Sequence, residues 1–127
     1  MKVLLTSISV QDPIAAFKFY TDVLGFKEQL FIPDANLAVV VSAEDFNGTG
    51  ILLEPTDSPL VKQYQLSLFK EGLPVIVFSV EDLQSEYERL KSCGVVFRKA
   101  PTKTEWGLEA ILEDSFGNLI QLMEQPH

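Results

Sequence analysis

Apolar residues recur along the chain in two rhythms, a period of two and a period of three to four. That order of rhythms occurs twice. Residues 3–10 mix β-branched and small polar side chains and predict a strand. Asp12-Pro13 predicts a helix start, because Asp can cap free amide groups and Pro is tolerated in the first turn. Ile14, Phe17, Tyr20 and Leu24 then form one apolar stripe, and Gly25 supplies the stop. Strands are predicted at 27–32 and 37–42, joined by a turn at Pro33-Asp34. The Asn47-Gly48-Thr49-Gly50 turn leads into Ile51-Leu52-Leu53-Glu54. A further helix opens at Thr56-Asp57-Ser58-Pro59, and Leu60, Tyr64, Leu66 and Phe69 carry it to Gly72.

Residues 75–80 form a nearly continuous apolar strand. Asp82 caps a helix with the stripe Leu83, Tyr87, Leu90, and Gly94 closes it. A short strand at 95–98, an alternating strand at 106–113, a tight turn at Asp114-Ser115-Phe116-Gly117-Asn118 and a last strand at 119–124 follow. Ile8-Ser9-Val10-Gln11-Asp12 thus returns as Phe78-Ser79-Val80-Glu81-Asp82, with Asp12 and Asp82 70 residues apart in a chain of 127. Each half reads βαβββ, which predicts an α+β fold of two tandem modules. Module one spans about 1–55, a linker helix about 56–72 and module two about 73–127, all within a single domain. Two similar modules that bury like faces enclose a cleft, which usually belongs to a small molecule.

Composition narrows the partners. The chain is 46% hydrophobic and 22% charged, the balance of a globular protein rather than a disordered one. Its net charge is −8, from 10 Lys plus Arg against 18 Asp plus Glu, and no stretch clusters the basic residues. Nucleic acid is therefore not an expected partner. An acidic surface tolerates a cationic ligand, although acidity by itself commonly serves only solubility. Cys93 is the sole cysteine, so no internal disulfide forms, and a reducing cytoplasm is the expected compartment. It is expected to be a small, partly buried thiol at a helix end. The only histidine, His127, is terminal and normally frayed, so it is no reliable base for a nucleophilic thiol. The apolar run Val3-Leu4-Leu5 is cut short by Thr6 and Ser7, so no secretory signal is expected. No stretch approaches the roughly 20 apolar residues of a membrane span.

Val10-Gln11-Asp12 with the run from Ala16 to Phe26, and Glu113-Asp114-Ser115-Phe116-Gly117-Asn118-Leu119-Ile120-Gln121-Leu122, resemble the vicinal oxygen chelate superfamily. That superfamily holds glyoxalase I, bleomycin-resistance proteins and extradiol dioxygenases. The first segment is similar to its first-helix signature and the second to its closing turn and strand. The resemblance covers essentially the whole chain. It implies two βαβββ modules whose mixed sheets curl around a cleft, often completed by a second subunit, so a homodimer is expected.

In metal-using members, each module contributes two ligands to one divalent ion, one from its first strand and one from its last. Carried onto this chain, the first-strand positions are Leu5 and Val75. The last-strand positions are Gln121 and either Glu54 or, by strict 70-residue spacing, Ile51. A divalent transition metal needs three or four donors, mostly imidazole, carboxylate or thiolate. Leu5 and Val75 offer none, so the resemblance points to no metal site and no cofactor.

The expected function is a metal-free protein that sequesters a small planar or cationic molecule, as in the bleomycin-resistance branch. Leu5 and Val75 would line the cleft, Trp106 would stack on the ligand, and Glu54 and Glu109 would supply charge. The alternative is a glyoxalase-like lyase or other enzyme, with Glu54 as general base and Gln121 donating a hydrogen bond to a substrate carbonyl.

Overall fold

The computed structural model describes residues 1–126; His127 lies outside them. The chain divides into two compact units, 1–63 and 64 onward, with the boundary inside a helix. In the first, strand β1 (Leu5–Val10) leads to helix α1 (Pro13–Lys18), and β2 (Lys27–Ile32), β3 (Leu37–Val41) and β4 (Gly50–Pro55) follow. Helix α2 (Pro59–Glu71) crosses the boundary. The second unit then repeats the order as β5 (Ile76–Ser79), α3 (Leu83–Ser92), β6 (Phe97–Thr104), β7 (Gly107–Glu113) and β8 (Leu119–Glu124).

Each unit builds a four-stranded mixed sheet of the same topology, β1-β4-β3-β2 and β5-β8-β7-β6. β1 runs parallel to β4 and β5 parallel to β8, and the other neighbours are antiparallel. The expected α+β fold of two βαβββ modules is therefore the observed one.

Both modules start their helices alike. Asp12 accepts from the Ala15 amide at 3.2 Å and Asp82 from the Ser85 amide at 3.1 Å, each satisfying an otherwise orphaned donor of a first turn. The first helix does not run on unbroken to Leu24. It widens into a π-turn at Phe19–Val23, where the Thr21 hydroxyl donates to the Phe17 carbonyl at 2.8 Å and competes for the backbone acceptor.

α1 lies on β3 and β4, and its Ala16, with the following Tyr20, is buried along with Ile8, Val10, Ala38, Val40, Ile51 and Leu53. α3 lies on β6, β7 and β8, burying Leu83 and Leu90 with Ala110, Leu112, Ile120 and Leu122. Each fully buried aliphatic side chain contributes about 1.5–3 kcal/mol. Both sheets thus cover one face with a helix.

Three segments differ from expectation. β6 continues to Thr104 instead of stopping at Arg98, because bulges between Phe97 and Lys99 and between Lys99 and Thr102 let the strand pass through Pro101. Trp106 does not begin β7; it sits in the β6–β7 turn, where its amide donates to the Thr104 hydroxyl. Gly107 starts the strand, since at φ 129° an added Cβ would run into the Glu124 carbonyl oxygen.

α2 is fastened differently from an amphipathic helix. Leu60, Tyr64 and Leu66 are exposed, whereas Gln65 is buried. The Gln65 Nε2 donates to Asn118 Oδ1 at 3.1 Å and to the Phe116 carbonyl at 3.3 Å. Cys93, expected to be partly buried, is exposed.

Candidate functional site

The face of each sheet turned away from its helix carries the candidate chemistry. Successive side chains of a strand point to opposite faces. Ile51 and Leu53 are buried beneath α1, so Leu52 and Glu54 lie on the other face of β4; likewise Gln121 and Met123 lie opposite the buried Ile120 and Leu122 on β8.

Strand register makes the two faces comparable residue by residue. Across the first sheet, Ser7, Leu52, Val39 and Leu30 are successive partners. Across the second, the corresponding row is Val77, Gln121, Ile111 and Lys99. Both modules carry a bulge at the same place, between Glu28 and Leu30 and between Phe97 and Lys99, which anchors the correspondence. The neighbour two residues before Val39 is Leu37, and two before Ile111 is Glu109.

This register corrects the assignment of the first-module position. The residue equivalent to Gln121 is Leu52, neither Glu54 nor Ile51. The repeat offset is 69 between β4 and β8, not 70, because insertions and deletions in the loops shift it. Glu54 is equivalent to Met123 and pairs in register with Ser9; it shares a face with Leu52 and is exposed.

Leu5 and Val75 are equivalent to one another, as expected, and both lie exposed on the same face as Leu52 and Gln121, at 41% and 37%. Gly50 permits the close packing beside Leu5. A Cβ there would come within 2.8 Å of Leu5 Cδ2 and 3.0 Å of Val39 Cγ1. Gln29, the bulge residue of β2, also reaches this point, which sequence reading missed.

On the second sheet the structure joins two of the expected residues and adds a third. Gln121 Nε2 donates to Glu109 Oε2 at 3.3 Å, and Lys99 Nζ donates to Glu109 Oε1 at 2.5 Å. Glu109, with its side chain 19% exposed, therefore bridges a cation on β6 and an amide on β8. Glu109, expected to supply charge to a ligand, is ion-paired with Lys99. Nearby, Arg98 Nη1 lies 3.6 Å from Glu113 Oε2 and its guanidinium stands 5.1 Å from the Phe69 ring centroid.

Lys99 went unnoticed because the strand was expected to end before it. The alternation along 106–113, which sets Glu109 with Ile111 and apart from Ala110 and Leu112, was the available signal. Trp106 is 70% exposed and belongs to the hairpin tip.

The four equivalent positions are Leu5, Leu52, Val75 and Gln121, three hydrocarbon chains and one neutral amide. That donor set does not fit a divalent metal, which needs three or four lone-pair ligands.

The comparisons agree with the topology. The chain is 45% identical over 127 residues to the uncharacterized protein YurT of Bacillus subtilis (strain 168), covering 98% of this chain and all of that one. Among solved structures it is similar to UcmS2, with a TM-score of 0.82, 26% identity and 98% of each chain covered. It also shares its fold with TnmS3, an antibiotic binding protein from Streptomyces sp. CB03234, at a TM-score of 0.75 and 23% identity, over 99% of this chain and 97% of that one. With two βαβββ modules in place and a family profile matching residues 2–122, the chain belongs to the Glyoxalase/Bleomycin resistance protein/Dioxygenase superfamily.

Proposed function

We propose that this chain is a metal-free binding protein that sequesters a neutral, flat, largely apolar molecule against the β5-β8-β7-β6 face. The observation that carries this reading is the Lys99–Glu109–Gln121 array. Its charges cancel, and it lies between exposed or half-exposed aliphatic residues, Val75, Val77 and Ile111. Ligand sites are mostly apolar with a few placed polar groups, and this face has that composition. The likeness in fold to an antibiotic binding protein supports the same reading.

The lyase alternative finds less support. The nitrogen of Gln121 already faces Glu109, so it is poorly placed to polarise a substrate carbonyl.

A second copy belongs to the proposal. β2 and β6 protect their outer edges with bulges and with Lys27, Lys99, Pro101 and Lys103. β1 and β5 are edge strands with neither charge nor bulge, and such edges pair readily. We expect a homodimer in analytical ultracentrifugation. An exposed, unbridged Cys93 suits a reducing cytoplasm.

The test is a set of matched tricyclic probes: acridone and N-methylacridone, both neutral, and the N-methylacridinium cation. Fluorescence titration should give saturable binding of a neutral probe and weaker binding of the cation. Binding of the cation alone, or of none of the three, would discard the proposal.

A further inference from the structure

We infer that Gln121 is the hydrogen-bond acceptor of this face, that Glu109 fixes it in that role, and that the ligand carries an N–H or O–H donor, as a lactam or phenol does. This deepens the reading of the face as a ligand site and rests on it.

The orientation of a glutamine amide is ordinarily an assignment, since oxygen and nitrogen look alike. Here chemistry settles it. A carboxylate can only accept, so the end of the Gln121 amide 3.3 Å from Glu109 Oε2 must be the NH2 group. Glu109 is in turn oriented by Lys99 on the edge strand, which donates to the other carboxylate oxygen. The Gln121 oxygen is therefore turned away from Glu109, and it makes no hydrogen bond to protein among the described residues. Register flanks it with Val77 and Ile111, so a flat apolar molecule laid on the face brings its edge to that oxygen. Such a ligand gains most by offering a donor, and one that covers the oxygen without a donor leaves a desolvated acceptor unpaired.

Glu109 is the positioning residue. In Glu109→Gln, Lys99 would claim the new amide's oxygen, and the new NH2 would face Gln121. Gln121 would then rotate to accept from it and present its own NH2 to the ligand. The same side chain changes from acceptor to donor with no loss of shape.

Dissociation constants for acridone, which has an N–H, and N-methylacridone, which lacks it, read this directly in the full chain. Wild type should bind acridone about tenfold more tightly. Gln121→Leu should erase that ratio, because acridone loses its acceptor and N-methylacridone no longer covers an unpaired oxygen. Glu109→Gln should reduce the ratio to about twofold or less, whereas a purely structural role would weaken both probes together and leave the ratio unchanged. Equal wild-type affinities, or a ratio that survives Gln121→Leu, would overturn the acceptor while leaving the ligand face standing. A ratio that survives Glu109→Gln would overturn the positioning role. Binding of neither neutral probe would remove the ligand face and this inference together.

Discussion

The two modules share a backbone plan but differ in the chemistry of the face turned away from the helix, and three positions illustrate the difference. Leu30, Leu37 and Leu52 on the first sheet are Lys99, Glu109 and Gln121 on the second. Pairing order, the bulge before Leu30 and Lys99 and a helix covering one face are shared, while β6 carries a second bulge before Thr102. The first module shows that leucine suffices at all three sites to build this sheet. The polar set is thus not dictated by the sheet topology that the two modules share. Elsewhere the pairing is closer: Ser42, following β3, accepts from the Glu44 amide at 3.1 Å, as Asp114, following β7, accepts from the Phe116 amide at 2.8 Å.

That shared turn offers the largest break. Asp114 is fully buried and also accepts from the Asn118 amide at 3.0 Å and from Asn118 Nδ2 at 2.8 Å, while the exposed bond at Ser42 stands alone among those described. Asp114→Ala leaves several donors unpaired and should cost about 2–4 kcal/mol in urea unfolding. Ser42→Ala should cost less than about 1 kcal/mol. Equal costs would mean that the second turn is no more rigid than the first.

Much of this was legible in the chain. The repeated caps at Asp12 and Asp82, the helical stripes and the last strands of each module follow from period and turn chemistry, and they led to the right fold. The site was less legible, because its members are brought together by register. A 70-residue spacing read from the caps drifts to 69 at β4 and β8 and to 72 at β3 and β7, enough to misplace Leu52. A bulge ahead of Lys99 and a proline after it disguise β6 as a loop. Trp106, alternating with its neighbours in sequence, lies in a turn because the hairpin closes one residue later, at Gly107.

Converting the second face into the first sharpens the comparison next. The triple variant Lys99→Leu, Glu109→Leu, Gln121→Leu should fold with stability within about 1 kcal/mol of wild type, because replacing a partly buried ion pair as a unit by hydrocarbon is commonly neutral. Its preference for acridone over N-methylacridone should vanish. A loss of several kcal/mol in chemical unfolding would show instead that the array holds the module together.

A smaller effect isolates the ion pair. A double-mutant cycle on Lys99 and Glu109 should return a coupling of about 0.2–1 kcal/mol, because the lysine side chain is 38% exposed and water screens the pair. The coupling should shrink in 1 M salt. The same cycle on Leu30 and Leu37 should show no salt dependence, since neither position is charged. Salt-independent coupling at Lys99 and Glu109 would mean that packing, not charge, links them.

The smallest expected difference lies at the helix caps. Asp82 receives the Ser85 hydroxyl at 2.9 Å as well as the Ser85 amide, whereas Asp12 caps the Ala15 amide, and alanine has no hydroxyl to add. The backbone and side-chain bonds from Ser85 hold the Asp82 carboxyl below its ordinary range. A carboxylate with a lowered folded-state pKa adds stability that is fully present above its unfolded value of about 4 and is lost as the pH falls through the folded value. Asp82→Ala should therefore lower Tm slightly more than Asp12→Ala at pH 7. Ser85→Ala should remove part of that excess, and the effect of Asp82→Ala should fade below about pH 4 as the wild-type carboxylate takes up its proton. An Asp82→Ala effect that stays constant from pH 7 to pH 3 would show that the cap works without its charge.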